Sequence, residues 1–219
     1  MEDKLRYLAP NKIDPKKIHS AFQKLILFDN AFLNMQAMNV AATDQLIMNW
    51  EYSLLHDYIR SDSTPLESVI LISALSQMWI FGTYELLRTW RQQIREHLDP
   101  KSNKFYANAE TDQNLSEAYW LKNREKFKDA SFAKKAKNQY DKMEPIFRCI
   151  EDIRVNLAKH EAPKSDKFKP RAPGYGRINI NCGSLDYEIM DRNGNYSFIN
   201  RRDIADMLRD SISRKKKIL

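Results

Sequence analysis

Towards its C-terminal quarter this 219-residue chain places an arginine, an amide and a histidine within seven residues at the end of an apolar-periodic helix: Ile153-Arg154-Val155-Asn156-Leu157-Ala158-Lys159-His160-Glu161. Arginine is a permanent, fork-shaped anion clamp, and histidine is the side chain that titrates near neutrality. A histidine that can take and return a proton beside a fixed guanidinium suits attack of an RNA 2′-hydroxyl on its own adjacent phosphate, without a metal. The negative end of the helix dipole favours the imidazolium form at position 160.

Ideal helix geometry constrains this reading. Asn156 and His160 are four apart and share a face with Ile153 and Cys149, whereas Arg154 lies roughly 120° away from it. Arg154 and His160 converge on one phosphate if the last turn unwinds before Pro163, or if two copies meet across a two-fold axis. The run Arg91-Gln92-Gln93-Ile94-Arg95-Glu96-His97 repeats the spacing, so Arg91 and His97 form an alternative catalytic pair. A purely structural role also stays open, with Arg154 paired to Glu151 and His160 capping the helix.

These residues must be positioned by helices. The chain has five glycines, four of them between Gly174 and Gly194, and the part before them reads as helical. Asp14 can cap a first helix with Pro15 at its first position, carrying Ile18, Phe22, Leu25, Asp29, Phe32 and Leu33 at helical spacing. A break or bend is expected at Asn39–Asp44. A second helix follows with Leu46, Trp50, Leu54 and Tyr58 on one face, ending near Arg60. Thr64-Pro65-Leu66-Glu67 reads as a capping box opening a helix that runs to Asp99-Pro100, about 50 Å long at 1.5 Å per residue. On it Met78, Trp79 and Trp90 read as core. Ser73, Gln77, Tyr84 and Arg88 read as a polar stripe, either a solvent side or interhelical hydrogen-bond network, or a second wall of the site or a dimer contact. A basic helix is expected over Leu115–Asp129 and another from Ala130. Glu144-Pro145 should kink or restart it, because proline disfavours helical geometry in the residue before it. The last bundle helix turns Ile146, Ile150, Ile153 and Leu157 inward.

Residues 162–176 change to Pro, Lys, Gly and Ser, a linker composition. Beyond it the period becomes two: Ile178 and Ile180, then Leu185, Tyr187 and Ile189, then Tyr196 and Phe198. Asn193-Gly194 is a two-residue hairpin signal, and a short helix from near Asn200 turns Ile204, Leu208 and Ile212 inward. The fold class expected is mainly α: an up-and-down helical bundle over residues 1–161, a linker over 162–176, and a small C-terminal antiparallel β-meander plus helix over 177–219.

An arginine followed four to six residues later by a histidine near the end of a core helix, in a helical bundle, resembles the HEPN family. The resemblance covers about residues 14–161. It implies metal-independent RNA cleavage, usually by a homodimer, with Arg154 and His160 in the catalytic positions. The polar residue that commonly follows the arginine would fall at position 155, which is Val here, with Asn at 156. The function expected is an endoribonuclease of the toxin or antiviral-defence type, with an antitoxin or defence-system partner. Arg154 would hold the phosphate, His160 would move the proton, Asn156 would orient the histidine or the RNA, and Lys159 and Lys164 would guide the backbone. The alternative is a non-catalytic RNA- or protein-binding module on the same scaffold.

Composition agrees in direction. The net charge is +7, and basic residues gather between Lys122 and Lys142 and at Arg214-Lys215-Lys216-Lys217, as suits phosphates. No metal site or cofactor is expected: His19, His56 and His97 lack ligand spacing, Cys149 and Cys182 form no CxxC pair, and no glycine-rich phosphate loop occurs. Two isolated cysteines suit a reducing cytoplasm. Met1–Arg6 carries acids and no apolar run, so no secretory signal is expected there. The apolar run Val69–Phe81 falls short of the roughly 20 residues that span a bilayer, so no membrane partner is expected.

Overall fold

A computed structural model describes residues 7–61, 63–99, 115–159, 175–190 and 196–211. The described residues form six α-helices and one three-stranded antiparallel sheet. After a 3-10 turn at Pro10–Lys12 come α1 (Lys17–Gln23), α2 (Ala31–Ser61), α3 (Leu66–Leu98), α4 (Leu115–Phe127) and α5 (Ala130–Lys159). They are followed by β1 (Gly176–Ile178), β2 (Leu185–Met190), β3 (Tyr196–Asn200) and α6 (Arg201–Asp210).

The first helix is shorter than its periodicity suggests. Asp14 does not cap it: its carboxylate accepts from the Lys16 amide at 2.9 Å in the preceding turn, while Lys16 stands at the cap with no side-chain hydrogen bond and the helix opens at Lys17. The break lies between Gln23 and Ala31, not at Asn39–Asp44. Leu27 adopts a left-handed φ of 75° there, and the Asn30 side chain accepts from the Phe32 amide to open α2. Residues 39–44 instead lie inside a continuous α2. Their two alanines favour helix, and the Thr43 hydroxyl donates back to the Asn39 carbonyl at 2.8 Å.

The rotation of α2 also differs from expectation. It buries Val40, Ala41, Asp44, Ile47, Met48, Glu51 and Leu54 and leaves Leu46 and Trp50 exposed. The cause is the pair of carboxylates. Asp44 and Glu51 face α6 and receive Arg201 and Arg209, so this face turns inward.

Helix α3 runs the expected length and is the central post, flanked by α2 and α5. Its capping box does not form: Pro65 stands at the cap, with no side-chain hydrogen bond there. Trp79 and Trp90 are core and spend their indole N–H groups on the carbonyls of Val40 and Ile26. Met78, expected in the core, is 68% exposed. By length and composition alone α3 is long and apolar enough to cross a bilayer. In this fold Ile72, Ile80, Leu87, Trp90 and Ile94 are fully buried among the other helices.

Helix α5 continues without interruption through Pro145, whose ring is exposed, rather than restarting there. Ile146, Ile150, Ile153 and Leu157 are buried along it.

The sheet order is β1-β2-β3, with Tyr187 opposite both Gly176 and Ile199. Leu185, Tyr187 and Ile189 face the core, joined by Ile199. Tyr196 and Phe198 take the other face and are exposed, and Ile180 lies beyond β1 and is exposed. The Asn193-Gly194 turn and Ile212 lie outside the described residues. Asn200 caps α6 with a full capping box: its side chain accepts from the Asp203 amide, and the Asp203 carboxylate accepts from the Asn200 amide. The meander and α6 share one core with the bundle, to which they bring Leu185, Tyr187, Ile204, Ala205 and Leu208.

Candidate functional site

The last two turns of α5 carry the arginine-centred site. Ile153 and Leu157 are buried and fix the helix rotation, which leaves Arg154 half-buried on the adjoining face. Its guanidinium lies over the Tyr84 ring of α3, 5.0 Å from the centroid, and Tyr84 in turn stacks on Phe147 at 5.4 Å. Of the polar stripe on α3, Tyr84 is thus the member that touches the arginine. Gln77 donates to Ser73, and Arg88 pairs with Glu85 at the surface.

Charge distinguishes Arg154 from its neighbour. Arg148, six residues earlier, is held by Glu144 at 2.6 Å and Glu151 at 3.0 Å. No carboxylate pairs with Arg154 among the described residues. A ring beneath a guanidinium occupies its flat face and leaves its edge N–H donors in the plane where a phosphate binds. Asn156 donates through its side-chain amide to the Asp152 carbonyl at 2.8 Å, one turn back, which leaves its carbonyl oxygen as acceptor. Lys159 is the final residue of α5. The Lys159 side chain, His160 and Lys164 lie outside the described residues.

The alternative pair lies further along the same post, with Arg91 4.6 Å from the centroid of Phe147, the ring on which Tyr84 stacks, and its two members are engaged on different neighbours. Arg91 is 7% exposed, lies 3.9 Å from the Tyr140 ring centroid, and donates to the Tyr140 carbonyl and the Glu144 carboxylate. His97, also 7% exposed, is stacked between Trp120 at 5.3 Å and Phe127 at 4.7 Å. Its Nδ1 is buried with no hydrogen-bond partner, and burial pushes its pKa down to about 4. A neutral imidazole of that acidity is a poor proton acceptor near pH 7, and Arg91 is already neutralised by Glu144.

The buried charge network escaped the sequence reading. Arg201 donates to Glu51 and Asp44, Arg209 to Asp44, and Ser184 to Glu51 at 2.7 Å. Nothing local announces it, because the partners are about 150 residues apart in the chain. Cys149 borders a cavity of about 620 Å³ between α5, β3 and α6. Burial pushes its thiol up to about 12, which leaves it protonated and unreactive at neutral pH. Among the described residues no three of His, Cys, Asp and Glu gather in a metal-binding group. No family model, no curated protein and no solved structure matches the chain.

Proposed function

We propose that this protein is a metal-independent endoribonuclease of the toxin or antiviral-defence type, built on a HEPN-like bundle and acting as a homodimer in the cytoplasm. Arg154 holds the scissile phosphate and His160 moves the proton. The RNA 2′-oxygen attacks phosphorus and the bond from phosphorus to the 5′-oxygen breaks. The hydroxyl proton passes to a His160 imidazole, and the departing 5′-oxygen is protonated by that group or by its copy in the dimer. The products are 2′,3′-cyclic phosphate and 5′-hydroxyl ends. Asn156 orients the histidine or the RNA, and Lys159 and Lys164 guide the backbone.

The observation that carries this reading is the Arg154 guanidinium, fixed against Tyr84 and not neutralised by a carboxylate among the described residues. It also favours Arg154 and His160 over Arg91 and His97. The test is incubation of the protein with RNA in EDTA. Cleavage to cyclic phosphate ends is expected, and His160→Ala abolishes it. Cleavage lost on chelation contradicts the mechanism.

A second reading, a non-catalytic module binding RNA or a protein such as an antitoxin, is supported by the apolar residues that α2 and α3 leave exposed, among them Met35, Met38, Trp50, Ile70 and Met78. Under it His160→Ala leaves binding intact and no cleavage is seen in either form.

A further inference from the structure

The face that α2 and α3 turn away from the core is apolar and carries no charge. Among Asp, Glu, Lys and Arg, α2 holds only Asp44 and Glu51 between Ala31 and His56, and both are buried against α6. On α3 none occurs between Ser68 and Tyr84. What remains outside is Met35, Met38, Leu46 and Trp50 from α2, with Ile70, Leu71 and Met78 from α3. Each of these is between 38% and 68% exposed. The chain is 30% charged, so a helix face that served only to meet water would carry several charges over such a length.

The two stripes form one surface. The Trp79 indole donates to the Val40 carbonyl at 2.9 Å, which fixes the register of these consecutive, antiparallel helices. An equal rise of 1.5 Å per residue then sets Met78 level with Ala42, Ala74 with Leu46 and Ile70 with Trp50, to within about one turn. Large side chains alternate with the small Ala42, Ala74 and Gly82, which are also exposed, and such ridges and grooves are how helix pairs pack on one another. The seven large side chains leave roughly 700 Å² in water, more than the ~300–600 Å² of the largest apolar patch on a typical monomer and close to the ~800 Å² that each partner gives to a stable interface.

Charge selects the occupant. Two copies with a net charge of +7 each repel one another, and they meet at least cost where neither presents a charge. This face offers a different protein no charge by which to be recognised. Laid across its own copy by a two-fold axis, it forms a four-helix layer in which the same ridges meet the same grooves. A bilayer is disfavoured. Asp57, Arg60 and Glu67 bound one end and the Glu85–Arg88 pair the other, without the Lys- and Arg-rich border that draws an apolar helix face to anionic lipid.

We propose that the α2–α3 face is the surface through which two copies of this chain associate, with Leu46 and Met78 in the contact. That two copies act together belongs to the ribonuclease reading; the face itself stands on exposure, area and charge. It also lies apart from Tyr84, which turns towards Phe147 and Arg154.

The test is sedimentation velocity of the full chain between about 1 and 100 µM, the range in which a specific dimer of this interface size forms. The wild type is expected to be dimeric. Leu46→Glu and Met78→Glu each place a charge where the copies meet, twice over in a symmetric pair, and each should raise the dimer dissociation constant about 100-fold or more. Both side chains are exposed in the single chain, so the fold tolerates the change, and an unaltered circular dichroism spectrum checks this. Ile180→Glu alters an exposed isoleucine outside the face and should leave the dimer intact. A wild type that stays monomeric overturns the proposal, whether the face is then covered by another segment of the chain, by a different protein or by phosphatidylglycerol vesicles with which the chain floats. A dimer that survives both α2–α3 substitutions overturns it as well, as does one broken equally by Ile180→Glu. Cleavage of RNA in EDTA is scored separately on the same preparations. A dimer broken by Leu46→Glu and Met78→Glu that cuts no RNA upholds the face and sinks the nuclease; cleavage by a chain that stays monomeric does the reverse.

Discussion

Arg201 and Glu51 meet as a bidentate pair inside the protein, Nε to Oε1 at 2.9 Å and Nη2 to Oε2 at 2.6 Å, with both side chains buried. The pair joins the start of α6 to the middle of α2, and Trp79 lies beside the guanidinium at 5.3 Å. A buried ion pair stabilises little over an apolar substitute, but removing one member strands the other charge. Glu51→Ala should therefore cost about 3–5 kcal/mol by urea denaturation. Glu51→Leu combined with Arg201→Met should recover most of it. A single variant within about 1 kcal/mol of wild type would mean that the guanidinium finds water when its partner is lost.

Gly183 precedes β2 with φ at 76°, and a β-carbon there would lie 1.8 Å from the Glu51 carbonyl oxygen. Gly183→Ala adds left-handed strain to a clash with backbone that cannot rotate away. A loss of about 2–5 kcal/mol is expected, read as a lowered denaturation midpoint. An unchanged midpoint would show that the sheet does not press on α2 as closely as described.

Pro145 interrupts nothing in α5, yet it removes one helical N–H and its ring is exposed. Pro145→Ala restores that donor at no packing cost and should raise stability by about 1–3 kcal/mol. Thermal unfolding measures the gain. A loss would indicate that the proline sets a bend on which the packing of Ile146 and Ile150 depends.

His97 links stability to pH. Burial lowers its folded-state pKa from 6.5 to about 4, so the unfolded chain binds the proton more readily. This contribution is present above pH 6.5 and is lost as pH falls from 6.5 towards 4, to a total of about 3 kcal/mol. His97→Phe should flatten that part of the stability profile. A profile unchanged by the substitution would mean that the ring takes up its proton as readily in the folded state as in the unfolded one.

Much of the framework could be read from local signals. The limits of α3 follow from Thr64-Pro65 and Asp99-Pro100, and the inner face of α5 from the spacing of its isoleucines. The α1–α2 break was hidden because Lys24-Leu25-Ile26-Leu27-Phe28-Asp29-Asn30 is mostly apolar and contains neither glycine nor proline. The rotation of α2 was hidden because Asp44 and Glu51 look like solvent-facing acids until Arg201 and Arg209 arrive from the far end of the chain. Alternation identified β3 but not which of its faces is covered, and that depends on Ile199 being the residue turned to the core. At the site, the sequence supplied Arg154 as a candidate. Its contact with Tyr84 joins residues 70 positions apart and has no local signature.

On the proposed mechanism the guanidinium of Arg154 and the imidazole of His160 act together on one RNA phosphate. Single-turnover cleavage of an oligoribonucleotide in EDTA, compared among wild type, Arg154→Ala, His160→Ala and the double variant, tests it most directly. Each single change should slow cleavage by about 10²- to 10⁴-fold, and the double variant should be no slower than the worse single, as for groups working as a unit. Cleavage by Arg154→Ala at the wild-type rate would contradict the account, as would losses that simply multiply in the double variant.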